Sequence, residues 1–421
     1  MSYRPYLIVV ATLMLSQTWA EEAGKAAENA HGEMWRRFID EYGIMIDFAD
    51  MEGKVSLPTP EECKQGKPNA LGWWAPIENG AMFNGLYMDG AILRWKRTGA
   101  KEDADKARKL MEGLLLLNSI SEVKGFVGRG VSTDGKSHYA MGSNDQTLPW
   151  FVGLWRYWES GLATEAEKKR IEKHVVETAR EIVRLGWAMP AEEPFGKRGS
   201  FEGYHFDEVA RKLFTMKLMH LMTGEESWQT MYVQELEKRG GPENHTKREA
   251  CAGGMKFWYS KRHNWTSCTA VSALRGLWEM EKDAALKADY ARGLTASAQL
   301  AAESLSLCKE WDNADSSHFE MDWRVMNVEW VPQQTEKDAQ ELAMRQIKTF
   351  LKVAPRRGKE TAFVREPTSA GWIVTLAADK SVLKAHEADL KQLIGHYDYG
   401  RLYYSQFFWA EMAWERWNAG E

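Results

Sequence analysis

Six times along this chain, an aromatic and charged loop leads into a helix-prone stretch rich in Trp and Leu. Each stretch ends near a Gly or a polar residue, as helices do. More polar, amphipathic stretches separate most of them. Six apolar helices alternating with about six amphipathic ones predict an all-α chain that closes into a toroid of six inner and about six outer helices. The apolar stretches are residues 79–99, 144–161, 206–224, 264–281, 366–379 and 404–420.

The boundaries of the first and last helices follow from the same patterning. Residues 33–50 place Trp35, Phe38 and Ile39 on one helical face, which predicts a helix before the first inner one. Residues 404–417 are aromatic on nearly every face, which predicts a buried inner helix. We expect residues 21–421 to form a single toroid domain.

Composition excludes some classes of protein and points toward another. The net charge of −5 is mild, which argues against a nucleic-acid binder. The 20 Trp are far above ordinary usage. Most of them are expected in the core, because Trp has a large apolar body to bury. The Trp in loops are candidates for stacking against sugar rings.

The first twenty residues have the pattern of an export signal. Arg4 supplies a positive start, residues 7–15 form a short apolar core, and Ala20 offers a small residue before Glu21. The apolar run is too short to span a bilayer. We therefore expect a signal peptide at residues 1–20, a secreted or periplasmic protein and no membrane insertion. The oligomeric state is left open.

The four cysteines and the known sequence motifs suggest no cofactor. Cys63, Cys251, Cys268 and Cys308 form no CxxC pair. Cys251 and Cys268 could form a disulfide, or all four could stay free. HExxH, GxSxG and phosphate-loop motifs do not occur, so we expect neither a metal nor a cofactor.

Candidate site residues lie in the loops that lead into the inner helices. Helix N-termini present free N–H groups and a partial positive charge, so several of them around one mouth favour an anionic ligand. Arg365 and Glu366 could instead be a structural ion pair, and residues 397–401 could be core packing. The substrate-binding candidates in these loops are Trp74, Glu78, Asn79, Asn144, His263, Asn264, Arg365, Tyr399 and Arg401.

The densest candidate segment runs from residue 125 to residue 150. Asp145 lies at a helix start and could act as a general acid or base. It could equally complement the helix dipole while Ser143 or Asn144 caps the helix. The segment also supplies three substrate-binding candidates, Arg129, His138 and Tyr139.

A second catalytic candidate is the segment around residue 204. A Tyr and a His together, here Tyr204 and His205, suffice to abstract a proton next to a carboxylate and then to protonate a leaving group. Alternatively, His205 caps the following helix. Glu202 is a candidate for a second catalytic carboxylate.

The expected architecture resembles the (α/α)6-toroid carbohydrate-active enzymes. These include six-hairpin glycoside hydrolases, such as the unsaturated glucuronyl hydrolases, and toroid polysaccharide lyases. The hydrolases use an Asp near the start of an inner helix, and Asp145 in Ser143-Asn144-Asp145-Gln146 is positioned similarly. The lyases commonly use Tyr and His with a neighbouring Asn or Arg. Tyr204, His205, Asn264 and Arg129 are available for those roles.

The resemblance implies three alternative functions with an oligo- or polysaccharide as partner. The first is a glycoside hydrolase acting on an acidic, uronate-containing glycan, with Asp145 and either Glu202 or Glu78 as its carboxylates. The second is a polysaccharide lyase that uses Tyr204 and His205. The third is a non-catalytic glycan-binding protein. A convergence of Asp145, His205, Arg129 and Tyr399 would favour a common site.

Overall fold

The computed structural model describes residues 21–257 and 263–420, so the expected signal peptide at residues 1–20 lies outside the described residues. The prediction of a mostly helical, all-α chain is confirmed for the described residues. The α-helices are α1 (residues 21–33), α2 (Pro60–Gln65), α3 (Gly80–Thr98), α4 (Lys101–Leu117), α5 (Asn144–Glu159), α6 (Glu165–Arg184), α7 (Phe206–Thr223), α8 (Glu226–Leu236), α9 (Lys247–Gly253), α10 (Asn264–Met280), α11 (Ala284–Ala302), α12 (Glu336–Val353), α13 (Pro355–Glu360), α14 (Glu366–Thr375), α15 (Lys380–Ala385), α16 (Glu387–His396) and α17 (Phe408–Ala419).

Shorter elements connect these helices. The short elements are the π-turns Met34–Phe38 and Thr361–Arg365, the 3-10 turns Leu305–Glu310, Trp323–Glu329 and Tyr399–Arg401, and the strands β1 (Ala188–Pro190), β2 (Lys197–Ser200), β3 (Arg239–Gly240) and β4 (His245–Thr246). β1 pairs with β2 and β3 pairs with β4, both antiparallel.

The six apolar helices contact one another in a continuous order. α3 packs against α5, α5 against α7 and α10, α7 against α10, α10 against α14, and α14 against α17. α17 then packs back against α3, where Phe408 and Trp409 contact Phe83. These helices are buried nearly all round, which matches their apolar sequences.

The amphipathic helices each cover neighbouring apolar helices. α4 packs on α3 and α5, α6 on α5 and α7, α11 on α10 and α14, and α16 on α14 and α17. α8 and α9 cover α7. Their apolar stripes face inward and their charged residues face solvent, as the patterning predicts.

Two predicted helix boundaries are wrong. The helix expected over residues 33–50 ends in the π-turn Met34–Phe38, and the chain after it is irregular. The Asp40 carboxylate accepts hydrogen bonds from the N–H groups of Tyr42 and Ile44, which forms a local turn in place of helix. The last inner helix begins at Phe408, not at Tyr404, because Tyr404 pairs as an isolated bridge with Phe48.

The closest approach between α3 and α5 requires glycine. A Cβ on Gly153 would lie 2.6 Å from the Cα of Gly85, and a Cβ on Gly85 would overlap the Pro149 carbonyl oxygen. We expect Gly85→Ala to lower the free energy of unfolding by about 1–3 kcal/mol, because backbone atoms cannot move aside as a flexible side chain can. Urea unfolding measures this change. The matched control is Gly395→Ala in α16, where a Cβ would meet no atom within 4 Å. It should be neutral or gain up to about 1 kcal/mol, and equal losses in both variants would contradict the expectation.

A buried network of charged side chains joins four inner helices away from their N-terminal ends. Arg416 donates two hydrogen bonds of 2.9 Å to the Asp89 carboxylate. Arg156 also contacts Asp89 at 3.1 Å and pairs with Glu279. Arg275 donates to Glu279 at 2.6 Å. Burial alone would raise the pKa of Glu279, but Arg156 and Arg416 hold it well below its usual range. The charged form of each side chain in this network is therefore stabilised by its oppositely charged neighbours.

All four cysteines lie among the described residues as buried free thiols, so the optional bridge between Cys251 and Cys268 is not formed. Burial raises the pKa of Cys63 to about 12, and it raises the pKa values of the other three thiols as well. They pack as small apolar side chains.

No helix among the described residues combines the length and the hydropathy needed to cross a bilayer.

Candidate functional site

A cavity of about 340 Å³ lies at the N-terminal ends of four of the inner helices. Residues that precede or begin α3, α5, α10 and α17 line it, together with residues of the continuous helical run 355–375 that contains α13 and α14. Seven predicted site residues lie here: Trp74, Glu78, Asn79, Arg129, Asp145, His263 and Arg365. Eight further residues complete the lining: Trp73, Gln146, Trp265, Ile347, Leu351, Arg357, Thr361 and Gln406.

One wall of the cavity is built on a buried pair of carboxyl groups. Asp47 accepts hydrogen bonds from the Asn79 backbone N–H at 2.8 Å and from the Asn79 side chain at 2.6 Å. Glu78 accepts from the Trp74 backbone N–H at 2.7 Å. Burial, together with the negative charge of Glu78, raises the pKa of Asp47 well above its usual range. Asp47 therefore tends to retain a proton.

The backbone of Trp74 is strained at this wall. Trp74 has φ of +74°, a left-handed conformation that bulky side chains rarely adopt. Its indole N–H donates to the Ala343 carbonyl at 2.9 Å, which holds the ring beside the cavity. Strained residues persist where the surrounding contacts fix them, and they concentrate at functional sites.

The opposite wall carries Asp145 at the start of α5. The Ser143 hydroxyl caps this helix by accepting from the Gln146 N–H, so Asp145 is not needed as the cap. Arg211 of α7 donates to the Asp145 carboxylate at 2.8 Å and to the Thr269 hydroxyl at 2.7 Å. The Asp145 side chain is 47% exposed while Arg211 is only 4% exposed. Asp145 is thus a carboxylate oriented by a buried guanidinium and open to the cavity.

Arg129 supports the loops around the cavity more than it faces a ligand. Its guanidinium donates to the carbonyls of Met141 and Glu78 at 3.1 and 2.9 Å, and it makes longer bonds to Gly142 and Ser143. Burial and the nearby Arg198 lower the pKa of Arg129 to about 9. Arg129 lines the cavity as a substrate-binding candidate should, but protein acceptors take its donors.

No protein-family model, curated protein or solved structure matches this chain. The chemistry of the cavity therefore rests on its own side chains. Among the described residues, no group of three or more His, Cys, Asp or Glu is arranged to hold a metal ion.

A third wall contains residues around the start of α10 and α14. Arg365 stacks on the Trp265 ring at 4.4 Å and donates to Glu366 at 3.2 Å. Glu366 also accepts from the Asn264 backbone N–H at 2.9 Å, so the Arg365–Glu366 ion pair links α14 to the start of α10. The structural interpretation of that pair is consistent with these contacts. Arg365 additionally faces the cavity, beside His263.

Arg357 is a lining residue that the sequence patterning missed. It lies in α13, whereas the candidates were sought immediately before the inner helices. Its guanidinium lies 4.1 Å from the Phe350 ring centroid, 4.9 Å from that of Tyr404 and 5.1 Å from that of Trp74. Two adjacent arginines, Arg356 and Arg357, before an inner helix are the only signal that could have marked it.

Tyr204 and His205 line a different cavity, of about 380 Å³, together with His245 and Lys256. His205 caps α7 by accepting from the Asp207 N–H at 3.4 Å, as the alternative interpretation of this residue predicts. The expected convergence of Asp145, His205, Arg129 and Tyr399 therefore does not occur.

We expect the pKa of the His205 imidazole to be unusually low. Burial, with the charges of Lys256 and Arg211, lowers its pKa from 6.5 to about 4. Because the folded-state pKa lies below the unfolded one, the stability that neutral His205 contributes is present above pH 6.5 and is lost as the pH falls toward 4. We expect His205→Gln to lose less stability than the parent chain between pH 7 and pH 4.5, measured by urea unfolding. The exposed His318→Gln is the control, and identical pH profiles for the parent and His205→Gln would contradict the expectation.

Glu202 and His138 are held by charged partners outside the main cavity. Glu202 pairs with Lys212 and Lys247, so it does not face Asp145. His138 lies 3.1 Å from Glu192. Burial opposes the charged form of His138, but the bond to Glu192 raises its pKa overall.

The remaining candidates are structural in this fold. The Tyr139 hydroxyl donates to the Lys67 carbonyl at 2.6 Å and the Tyr399 hydroxyl to the Ile394 carbonyl at 2.7 Å, and both rings are buried. Neither therefore lines the cavity as expected. The other three lie as follows: Asn144 donates to the Ser200 carbonyl at 3.4 Å, Asn264 donates to the Ser304 hydroxyl at 2.9 Å, and Arg401 is exposed on a 3-10 turn.

Proposed function

We propose that this chain is a secreted glycoside hydrolase that cleaves an acidic, uronate-containing glycan in the main cavity. One observation carries the proposal. Two carboxylates, Glu78 and Asp145, share a cavity with buried arginines and with the rings of Trp74 and Trp265. Carboxylates supply acid–base chemistry, Trp rings stack on sugars, and arginines bind anions.

We also propose that the inner helices form an (α/α)6 toroid. Two features support it: the contacts run from α3 through α17 and back to α3, and the N-terminal ends of four inner helices line one cavity. In such a toroid the cavity would be the mouth of the ring.

The two carboxylates differ in their surroundings, and this difference suggests their roles. Asp145 is 47% exposed and is oriented by Arg211, so we assign it the role of the base that takes a proton from water. Glu78 is buried and is the second carboxyl group of the cavity, so we assign it the role of the acid that donates a proton to the leaving glycosidic oxygen. Water adds at the anomeric carbon as the bond to that oxygen breaks, and each carboxyl group ends with its protonation reversed.

The test is hydrolysis of acidic oligosaccharides in ¹⁸O-labelled water. We expect one ¹⁸O at the new reducing end and no ultraviolet absorbance from a conjugated uronate. New absorbance without ¹⁸O would show elimination, and neither signal would leave only glycan binding.

A polysaccharide lyase remains the second candidate. It is favoured by the separate cavity that contains Tyr204 and His205, the two residue types that such a reaction needs. A lyase should lose activity in His205→Gln and keep it in Asp145→Asn. A glycan-binding protein should bind equally well after either change.

A further inference from the structure

Arg357 is a buried cation surrounded by aromatic rings. It is 5% exposed and lies within 6 Å of the ring centroids of Phe48, Trp74, Phe350 and Tyr404. Ring faces attract a cation, but they accept few of the five N–H donors of a guanidinium. The aromatic contacts therefore fix the position of Arg357 without satisfying its hydrogen bonds.

The hydrogen bonding of Arg357 is incomplete within the part of the chain that the structure describes. Its Nη1 is buried with no hydrogen-bond partner. The nearest carboxylate is that of Glu78, at 3.9 Å, which is beyond hydrogen-bonding distance. Buried charged donors are costly when unsatisfied, and a native structure that retains one needs a reason.

Arg365 repeats this arrangement eight residues further along the same helical run, residues 355–375. Its guanidinium also stacks on a Trp ring, that of Trp265, and its Nε is buried without a partner. Arg129, by contrast, donates to three carbonyls and a hydroxyl of the protein. Arg357 and Arg365 are thus the cavity arginines with donors left for a ligand.

We propose that Arg357 and Arg365 form the subsite that binds the carboxylate of the substrate's uronate ring. The proposal rests on the hydrolase function above and identifies the residues that give specificity for an acidic sugar. A guanidinium fork matches the two oxygens of a carboxylate, and a partner in a desolvated site gives charge-assisted hydrogen bonds. The Trp74 and Trp265 rings that hold the two guanidinium groups would then flank the same sugar.

The test compares a uronate oligosaccharide with its neutral methyl ester. We expect Arg357→Gln to lower kcat/KM for the acid by about 10–100-fold, the range for losing hydrogen bonds to a charged group. Cleavage of the ester should change less than about threefold, because the ester makes no ion pair to lose. The matched control is Arg170→Gln, an exposed arginine paired with Glu112 on the outer surface, which should leave both substrates unaffected.

Equal losses on the acid and the ester, with the thermal unfolding midpoint unchanged, would overturn the subsite. If Arg357→Gln fails to fold, Arg365→Gln is measured in its place and judged by the same ratio. If the parent chain cleaves neither substrate, the hydrolase function fails, and calorimetric binding of free glucuronate tests the subsite alone. Binding that is lost in Arg357→Gln would support it, and binding that is unchanged would reject it.

Discussion

Asp145→Asn should lower turnover of an acidic glycan by about a thousandfold, within the range that general acid–base catalysis contributes. Asparagine keeps the size of the side chain and can still accept a hydrogen bond from Arg211. It cannot take a proton from water. The loss should therefore appear in kcat, with glycan binding retained, and steady-state kinetics with calorimetry would separate the two.

The fold should tolerate this change, because the Asp145 side chain is 47% exposed and Ser143 supplies the helix cap. The control is Glu165→Gln, a carboxylate in the first turn of the outer helix α6, which should leave kcat unchanged. If Asp145→Asn retains kcat within a few-fold of the parent, Asp145 is not the base.

Arg416→Met should lower the free energy of unfolding by about 1–3 kcal/mol, the range for removing one partner of a buried hydrogen-bonded group. Arg416 is fully buried and makes both of its short bonds to Asp89, which keeps its contact with Arg156 at 3.1 Å. Methionine fills much of the same volume, so the loss reports the hydrogen bonds to Asp89 more than a cavity. Urea unfolding measures the change.

Two comparisons sharpen this result. Arg170→Met breaks an exposed pair with Glu112 and should cost less than about 1 kcal/mol. The double variant Asp89→Asn with Arg416→Met should lose less than the sum of the single changes, because it removes both charges of the pair. Strict additivity would show that Asp89 and Arg416 do not stabilise each other.

The sequence pattern predicted most of the helices, because their burial follows from apolar periodicity. Gly99 and Gly224 end α3 and α7 in left-handed conformations, as glycines at helix stops do. The prediction failed over residues 33–50, where the Asp40 side chain competes with helical hydrogen bonds. That error also hid Asp47, whose importance depends on a contact with Asn79.

The site was predicted in part for a similar reason. Residues just before inner helices, such as Glu78 and Asp145, share one cavity because helix starts share one end of the fold. Tyr204 and His205 also precede an inner helix, but the local turn at the start of α7 places them in a different cavity. The role of Arg357 was missed, since three of the four rings around it, those of Phe48, Trp74 and Tyr404, come from segments distant in sequence.

The contact between α17 and α3 also affects how the chain folds while it is synthesised. The Tyr87 hydroxyl meets Glu411 at 2.6 Å across 324 residues, and α17 is also the neighbour of α14. During synthesis, the side of α3 that contains Tyr87 stays without this partner until the ribosome has added the 324 residues up to Glu411. Contacts so distant in sequence form slowly, and uncovered apolar surface aggregates in the meantime. We therefore expect that deletion of α17 leaves the apolar side of α3 uncovered and that the truncated chain accumulates as insoluble protein.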